Sequence, residues 1–399
     1  MAPASPSARA AATAGPAAAT RPRNRRQLIV DAAGRVFSER GYHATSMEEV
    51  AAGVGITAAA LYRHFPNKYA LFAECADVMV DGLVTALDEV PSRAALTDVF
   101  TALTRITLAH RASGGVYRWE ARYLSHEDRR RLGAKFARLV ERVDEAVQRD
   151  HPLPDEGLRA MASLGAIGSI TMHHTSIAQR RAEELLLASA LGVAGCDPAA
   201  GRRSAHIVVR LPAQPVARTR RAEILAASIP LFARDGFVSV TNGQIAEAVG
   251  LTPSALYRHY PGKIDILAAA CLQAAGLLAQ GVEQSLREVT GPLDAIVALA
   301  ATYVAYSFEY TELNSVAEAE IAGLPEGLRR PVVLAQREHI AVWEQQLRLA
   351  RPELDPRQAR VLVHAGFGVA VEAGRRLRWQ DSPDHREAVT ALVVGALGL

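Results

Sequence analysis

The stretch Leu61-Tyr62-Arg63-His64-Phe65-Pro66-Asn67-Lys68 returns as Leu256-Tyr257-Arg258-His259-Tyr260-Pro261-Gly262-Lys263. The offset is 195 (257 − 62), and without a gap it also pairs Arg26 with Arg221, Ile29 with Ile224, Phe37 with Phe232, Gly41 with Gly236, Gly55 with Gly250 and Thr57 with Thr252. Downstream, His151-Pro152-Leu153-Pro154-Asp155 is echoed by Arg351-Pro352-Glu353-Leu354-Asp355 at an offset of 200 (352 − 152), which also sets Gly168 on Gly368. A repeat of that length is a tandem pair of domains, because solenoid repeats recur every ~20–50 residues. Any fold assigned to the chain must therefore exist twice.

Each copy reads as short helices punctuated by glycine. The first helix is expected over about Arg25 to Arg40, with Ile29, Ala33 and Phe37 on one face and Gly41 as its stop. Ser46 with Glu49 three residues on makes a capping box for a second helix. Gly53-Val54-Gly55 is the turn, Thr57 caps a helix from Ala58 to Phe65, and Asn67 caps a longer one toward Asp88. In the second copy Thr241 and Thr252 take the cap positions, with Pro253 at the first helical position. Pro230 falls inside the second copy's first helix, where it is expected to kink it. The remaining stretches are helical by pattern and no strand alternation stands out, so the fold class is all-α. Two tandem units are expected, each a three-helix helix-turn-helix domain followed by a helical domain. The boundaries are a disordered tail at 1–20, the first helix-turn-helix domain at 21–82 and its helical domain at 83–196. A linker at 197–217, the second helix-turn-helix domain at 218–277 and its helical domain at 278–399 complete the chain.

The net charge of +3 places any nucleic-acid affinity in local patches rather than in bulk charge. Cys75, Cys196 and Cys271 have no paired spacing and suit a reducing cytosol. The apolar runs are too short to predict a membrane span, and the Ala/Pro/Ser-rich start lacks the order of a signal peptide. His173 and His174 are adjacent and cannot chelate one metal from a helix face, so no metal and no cofactor is expected. No nucleophile elbow or phosphate loop points to an enzyme.

In a helix-turn-helix the start of the second short helix enters the major groove. Thr57, Ala58 and Ala59 are then the base-facing residues of the first copy, and alanines offer only contact to thymine methyl groups. Thr252 and Ser254 in the second copy can donate and accept. Tyr62, His64 and Lys68, with Tyr257, His259 and Lys263, are placed to reach phosphates, which fix register without reading sequence. Arg25 belongs to a basic arm with Arg21, Arg23 and Arg26.

These motifs resemble the TetR family of bacterial transcription regulators: a leading Arg and Ile helix ending in Gly, a Thr/Ser-capped helix with Val/Ile-Ala, Gly-Ile/Leu-Thr, and Leu-Tyr-Arg-His-Phe/Tyr-Pro-x-Lys. The resemblance covers about residues 23–75 and 218–270. It implies operator DNA as partner and a small, largely apolar effector bound by the helical domain, with dimerisation through the last two helices. It implies DNA contacts at Thr45, Ser46, Thr57, Ala58, Tyr62, His64 and Lys68, and in the second copy at Ser254, Tyr257, His259 and Lys263, with Thr241 at the cap position there. Candidate effector contacts are Trp119, Tyr123, Met172, Tyr306, Tyr310 and Trp343, although core packing is the commoner role of any single aromatic. The expected function is a ligand-responsive repressor acting as an intramolecular pseudo-dimer or a homodimer. The alternative is a ligand sensor or protein-interaction module whose second head has lost DNA binding.

Overall fold

The computed structural model describes residues 25–43, 45–114, 123–199 and 209–399. The proposed tail, Arg21, Arg23, Trp119 and the middle of the linker lie outside them. Among the described residues all regular structure is helical. Unit one contains α1 (Arg25–Arg40), α2 (Met47–Gly53), α3 (Ala58–Tyr62), α4 (Lys68–Asp88), α5 (Leu96–Ala109), α6 (His126–Asp150), α7 (Leu158–Gly168) and α8 (Gln179–Ala194). Unit two contains α9 (Arg220–Asp235), α10 (Asn242–Ala248), α11 (Pro253–Leu256), α12 (Lys263–Arg287), α13 (Pro292–Glu309), α14 (Thr311–Glu320), α15 (Glu326–Ala350), α16 (Pro356–Arg376) and α17 (Pro383–Ala396).

The caps act where the side chains require them. Ser46 and Glu49 form a reciprocal capping box, as do Thr241 and Gln244. The third helix of each head starts on a threonine: Ala60 N donates to Thr57 Oγ1 at 3.2 Å, and Ala255 N to Thr252 Oγ1 at 3.3 Å. The turn before it runs through Gly55 at φ +67° and Gly250 at φ +65°, a left-handed backbone that side chains disfavour. One expectation needs correction. α3 ends at Tyr62 rather than Phe65, because Pro66 pushes the residue before it out of helical geometry. α9 runs unbroken through Pro230. Pro230 and Ala226, whose carbonyl loses its donor, are both exposed, so water can take that bond.

Each head closes on its own aromatic core. Ile29, Phe37, Val50, Leu61, Phe65 and Phe72 pack together in head one, and Ile224, Phe232, Ile245, Leu256, Tyr260 and Ile266 in head two. The expected boundaries at 82/83 and 277/278 fall within the continuous helices α4 and α12, so head and body share a rigid element in both units. α12 is long and apolar enough to cross a membrane by composition, but here it packs as a core helix on α13, α14 and α15.

The two bodies join through their last two helices. α7 packs on α16 and α8 on α17, with α16 also crossing α8, so a four-helix bundle forms within one chain. One apolar core runs across it, including Leu158, Ala162 and Leu186 from unit one and Val361, Ala365 and Val393 from unit two. The helices cross at glycines. A methyl group on Gly165 would sit 2.5 Å from the Gly368 carbonyl oxygen, and one on Gly192 would sit 2.5 Å from that of Gly395. Only glycine permits backbones this close. Ser189 Oγ donates to Ala396 O at 2.7 Å across the same seam.

Candidate DNA-binding heads and regulatory cavities

On each head the side chains near the start of the third helix form an exposed face. Tyr62 is 48% and Tyr257 54% exposed, unusual for tyrosine in a packed helical domain. Thr57, Ala59 and His64 are also exposed, with Ala58 half-buried beside them. In head two Thr252, Ser254 and Tyr257 are exposed and His259 half-buried. The second face is more tightly wired than the first. Asn242 Nδ2 donates to Tyr257 Oη at 2.8 Å, and the Thr252 and Ser254 hydroxyls lie 3.0 Å apart. Arg25 is half-buried at the start of α1.

Several expected contacts are engaged internally. Lys68 Nζ donates to the carbonyls of Tyr42 at 2.9 Å and Thr45 at 3.0 Å, over the Tyr42 ring at 4.5 Å. Lys263 Nζ does the same to Phe237 at 2.6 Å and Val238 at 3.2 Å, over the Phe237 ring at 4.5 Å. Burial pushes both ammonium pKa values down. Both lysines, expected to reach phosphates, are thus engaged internally: they staple the loop between the first two helices to the fourth. Thr45 is buried and donates to Gly41 O at 2.9 Å, so its hydroxyl also serves that loop. Ser46 is committed to its capping box with Glu49. Thr241, though exposed, is likewise committed to Gln244. Sequence inspection missed two further ties. Arg26 lies 4.7 Å over Phe65 and pairs with Glu74, while Arg221 lies 3.9 Å over Tyr260 and donates to His259 O. The conserved spacing between the leading Arg and the motif aromatic in both copies was the available signal, and a cation over a ring is its physical meaning.

Each body holds a cavity, and the two are lined from corresponding positions. Cavity one, about 490 Å³, is lined in unit one by Leu103, Phe136, Leu164 and Ile167 among others. Cavity two, about 850 Å³, has Tyr303, Gln336, His364 and Phe367 at those places, each 200 residues on. Of the expected effector contacts, Met172 and Tyr306 line cavity two. Trp119 lies outside the described residues, and Tyr123, Tyr310 and Trp343 are not among the lining of either cavity. Tyr123 stacks on Tyr42 at 5.6 Å beside the head. Tyr310 Oη donates to Pro212 O at 2.6 Å, holding the end of the linker. Trp343 is fully buried behind the wall and donates to His339 Nε2 at 3.2 Å.

The wall of cavity two carries a cluster of aromatic rings. Phe367 stacks on His339 at 5.7 Å and tilts against Tyr303 at 4.7 Å. Burial holds His339 and His364 near pKa 4, so both imidazoles are neutral at pH 7. His173 from unit one stacks on His364 at 4.1 Å, and burial and that neighbour push it down to about 2. Arg111 positions this seam by donating to the carbonyls of Ile170 at 3.2 Å, His173 at 3.0 Å and Thr175 at 2.8 Å.

Comparison with known proteins agrees with this arrangement. The profile described as bacterial regulatory proteins, tetR family, matches residues 29–75 and 224–270, the two heads. The chain is 30% identical over 148 residues to the nucleoid occlusion factor SlmA of Photorhabdus laumondii, covering 35% of this chain and 71% of that protein. It is 40% identical over 67 residues to the transcriptional activator FasR of Mycolicibacterium smegmatis, covering 17% of this chain and 30% of that protein. To the transcriptional repressor KstR2 of Rhodococcus jostii it is 29% identical over 135 residues, covering 32% and 66%. Among solved structures, a TetR-family regulator from Bordetella parapertussis aligns at 22% identity with a TM-score of 0.41, over 44% of this chain and 94% of that one. With a head matched in each half, the chain belongs to the TetR family of bacterial transcriptional regulators, as a tandem form carrying two TetR units.

Proposed function

We propose that one chain acts as a complete, ligand-responsive repressor of the cytoplasm, its two heads docking on a single operator as an intramolecular pseudo-dimer. The observation that carries this reading is the pairing of α7 and α8 with α16 and α17 inside one chain, which fixes two exposed Tyr/His faces relative to each other. Head one spans 21–82 and head two 218–277, with bodies at 83–196 and 278–399 on either side of the 197–217 linker. Thr57, Ala58, Ala59, Tyr62 and His64 meet DNA in head one, with Thr252, Ser254, Tyr257 and His259 in head two and Arg25 along the backbone. Because Ala58-Ala59 faces bases where Pro253-Ser254 does in the other head, the operator is asymmetric. Its half-sites lie about 34 Å apart or a small multiple of that. The effector is a small, largely apolar molecule held in a body cavity, whose binding shifts the spacing of the heads through α4 and α12.

Genomic footprinting supplies the operator, and sedimentation of the chain on that duplex gives the stoichiometry. One chain per operator, with affinity lost in both Tyr62→Ala and Tyr257→Ala, is the expected result. Two chains per operator with Tyr257→Ala indistinguishable from wild type would overturn it in favour of a chain whose second head has another role.

A further inference from the structure

Both cavities are composites of the two units, and the composition is reciprocal. Cavity two, in the body of unit two, is also lined by Phe37, Ser38 and Gly41 from the end of α1 in head one, and by Met172 of unit one. Cavity one, in the body of unit one, is lined by Phe232 and Ala233 of head two and by Glu372 of unit two. These sets correspond: Phe37 with Phe232 and Ser38 with Ala233 at an offset of 195 (232 − 37), and Met172 with Glu372 at 200 (372 − 172). α1 also packs directly on the 3-10 turn Ile321–Gly323 of unit two. Each body therefore keeps its cavity under the first helix of the opposite head.

The charge on cavity two narrows what it can hold. Its charged lining residues are Glu283, Glu318, Glu338 and Arg287, and Arg287 is already paired with Glu283. Tyr303 Oη and Asn314 Nδ2 both point at Glu318 Oε1, at 3.5 and 3.2 Å. A carboxylate or phosphate entering here meets the Glu318 and Glu338 carboxylates, while the one guanidinium is already matched by Glu283. The rest of the wall includes Leu278, Val282, Ile340, Phe367 and the tyrosine and histidine rings, with Asn314 and Gln336 as neutral polar groups.

We propose that cavity two is a two-unit site for an uncharged or cationic apolar molecule, and that its occupant acts in trans on the first helix of head one, besides the α12 wall, with Cys271 and Ala274, that it shares with its own head. This rests on the ligand-responsive reading above and adds the direction of the signal and the charge class of the effector. An occupant that fills the space beneath Ser38 and Gly41 changes the seating of α1, and α1 carries Arg26, which lies over Phe65 at the end of the DNA-facing motif. Since cavity one has Leu103, Phe136, Leu164 and Ile167, without a hydrogen-bonding group, at the matching positions, the two cavities take different molecules and each reaches the first helix of the opposite head.

The test uses the full chain. Ala279→Trp places an indole on the exposed floor of cavity two. Amide exchange in residues 37–41 of head one is expected to slow about threefold or more, with residues 232–236 of head two unchanged, as local opening responds to packing. Slowing confined to 232–236, or none in either head, overturns control in trans whatever the protein binds. Separately, the uncharged probe N-phenyl-1-naphthylamine and its anionic relative 1-anilinonaphthalene-8-sulfonate are titrated against wild type. The uncharged probe is expected to bind at least about tenfold more tightly, or 1.4 kcal/mol. Ser38→Trp in head one and Ala279→Trp in unit two are expected to remove the same binding step, while Ala233→Trp leaves it. Equal affinity for the two probes overturns the charge class. If Ser38→Trp spares the step that Ala279→Trp removes, the composite site fails. Slowed exchange in 37–41 with no binding of the uncharged probe refutes the apolar effector and leaves the trans contact standing, so failure of ligand response and failure of trans control are read apart.

Discussion

At matching places in the two bodies, unit one has Leu103, Phe136, Leu164 and Ile167, and unit two has Tyr303, Gln336, His364 and Phe367. In the heads the opposite holds. Lys68 and Lys263 staple the same loop, Arg26 and Arg221 cover the same ring, and Gly55 and Gly250 make the same left-handed turn. The positions that stayed alike hold backbone geometry, where a change forfeits a capped carbonyl or a strained turn. The positions that diverged face empty volume, where a new side chain costs little and alters what can bind. Duplication has here kept one scaffold and produced two chemistries.

That contrast can be broken most severely at Arg159. It is 2% exposed, bonded to Asp155 at 2.6 Å and to the carbonyls of Ala194 and His151 at 2.8 Å each. The corresponding tie in unit two is Arg351, which reaches Leu397 O at 2.7 Å and pairs with an exposed Glu353. Arg159→Ala leaves the Asp155 carboxylate without its cation, held only by neutral N–H donors from Gln148 and the backbone, and is expected to cost about 3 kcal/mol in urea unfolding. Arg351→Ala is expected to cost about 1 kcal/mol. Equal losses would mean that the two hairpins are held alike.

Acid separates the units next. His339 and His364 of unit two titrate near 4 and His173 near 2 because they are buried, against an ordinary 6.5. Below 6.5 the unfolded chain takes up protons that the folded chain refuses until about 4. Stability fully present above pH 6.5 is therefore lost as pH falls toward 4, by up to about 1.4 kcal/mol per pH unit for each histidine. Putting unit one's residue into unit two, His364→Leu, is expected to flatten that limb of the melting-temperature profile, and an unchanged limb would place the effect elsewhere.

The lysine staples give a smaller effect that tests the likeness of the heads. Lys68→Met and Lys263→Met are each expected to destabilise by about 1–3 kcal/mol, by leaving loop carbonyls without donors. The salt dependence of operator binding should stay the same in both. A slope reduced by about one in either variant would return that lysine to the phosphate contacts. The smallest difference is expected at Asn242, whose amide orients Tyr257 and has no counterpart bond to Tyr62 among those seen in head one. Asn242→Ala should weaken operator binding by under about 1 kcal/mol in a fluorescence anisotropy titration, and a larger loss would make Asn242 itself a contact.

Much of this was legible in the chain because it is local. Ser46 with Glu49, Thr57, Thr252 and Asn67 cap helices through partners three residues away, so their spacing reveals them. The internal partners of the lysines were not legible because they lie 23–26 residues back and are backbone carbonyls, which leave no mark on a sequence. Gly168 and Gly368 correspond as repeats, but Gly165 is the residue that crosses Gly368. A two-fold arrangement brings together different positions of the two copies, whereas the repeat aligns equal ones. The aromatic candidates failed for a related reason: whether Trp343 faces a cavity or stands behind its wall depends on helix rotation, and periodicity cannot resolve a residue buried on all sides.

The glycine crossings have a consequence for dosage. Partners that must find each other separate on dilution, and the number of pairs then falls with the square of their concentration. Here the two halves share one chain, so each sees the other at an effective concentration on the order of millimolar. Pairing through Gly165 and Gly368 is then independent of copy number, and a cell holding a few molecules has as large a paired fraction as one holding thousands. Operator occupancy should rise in simple proportion to the amount of protein at low abundance, without the lag that a two-chain regulator shows.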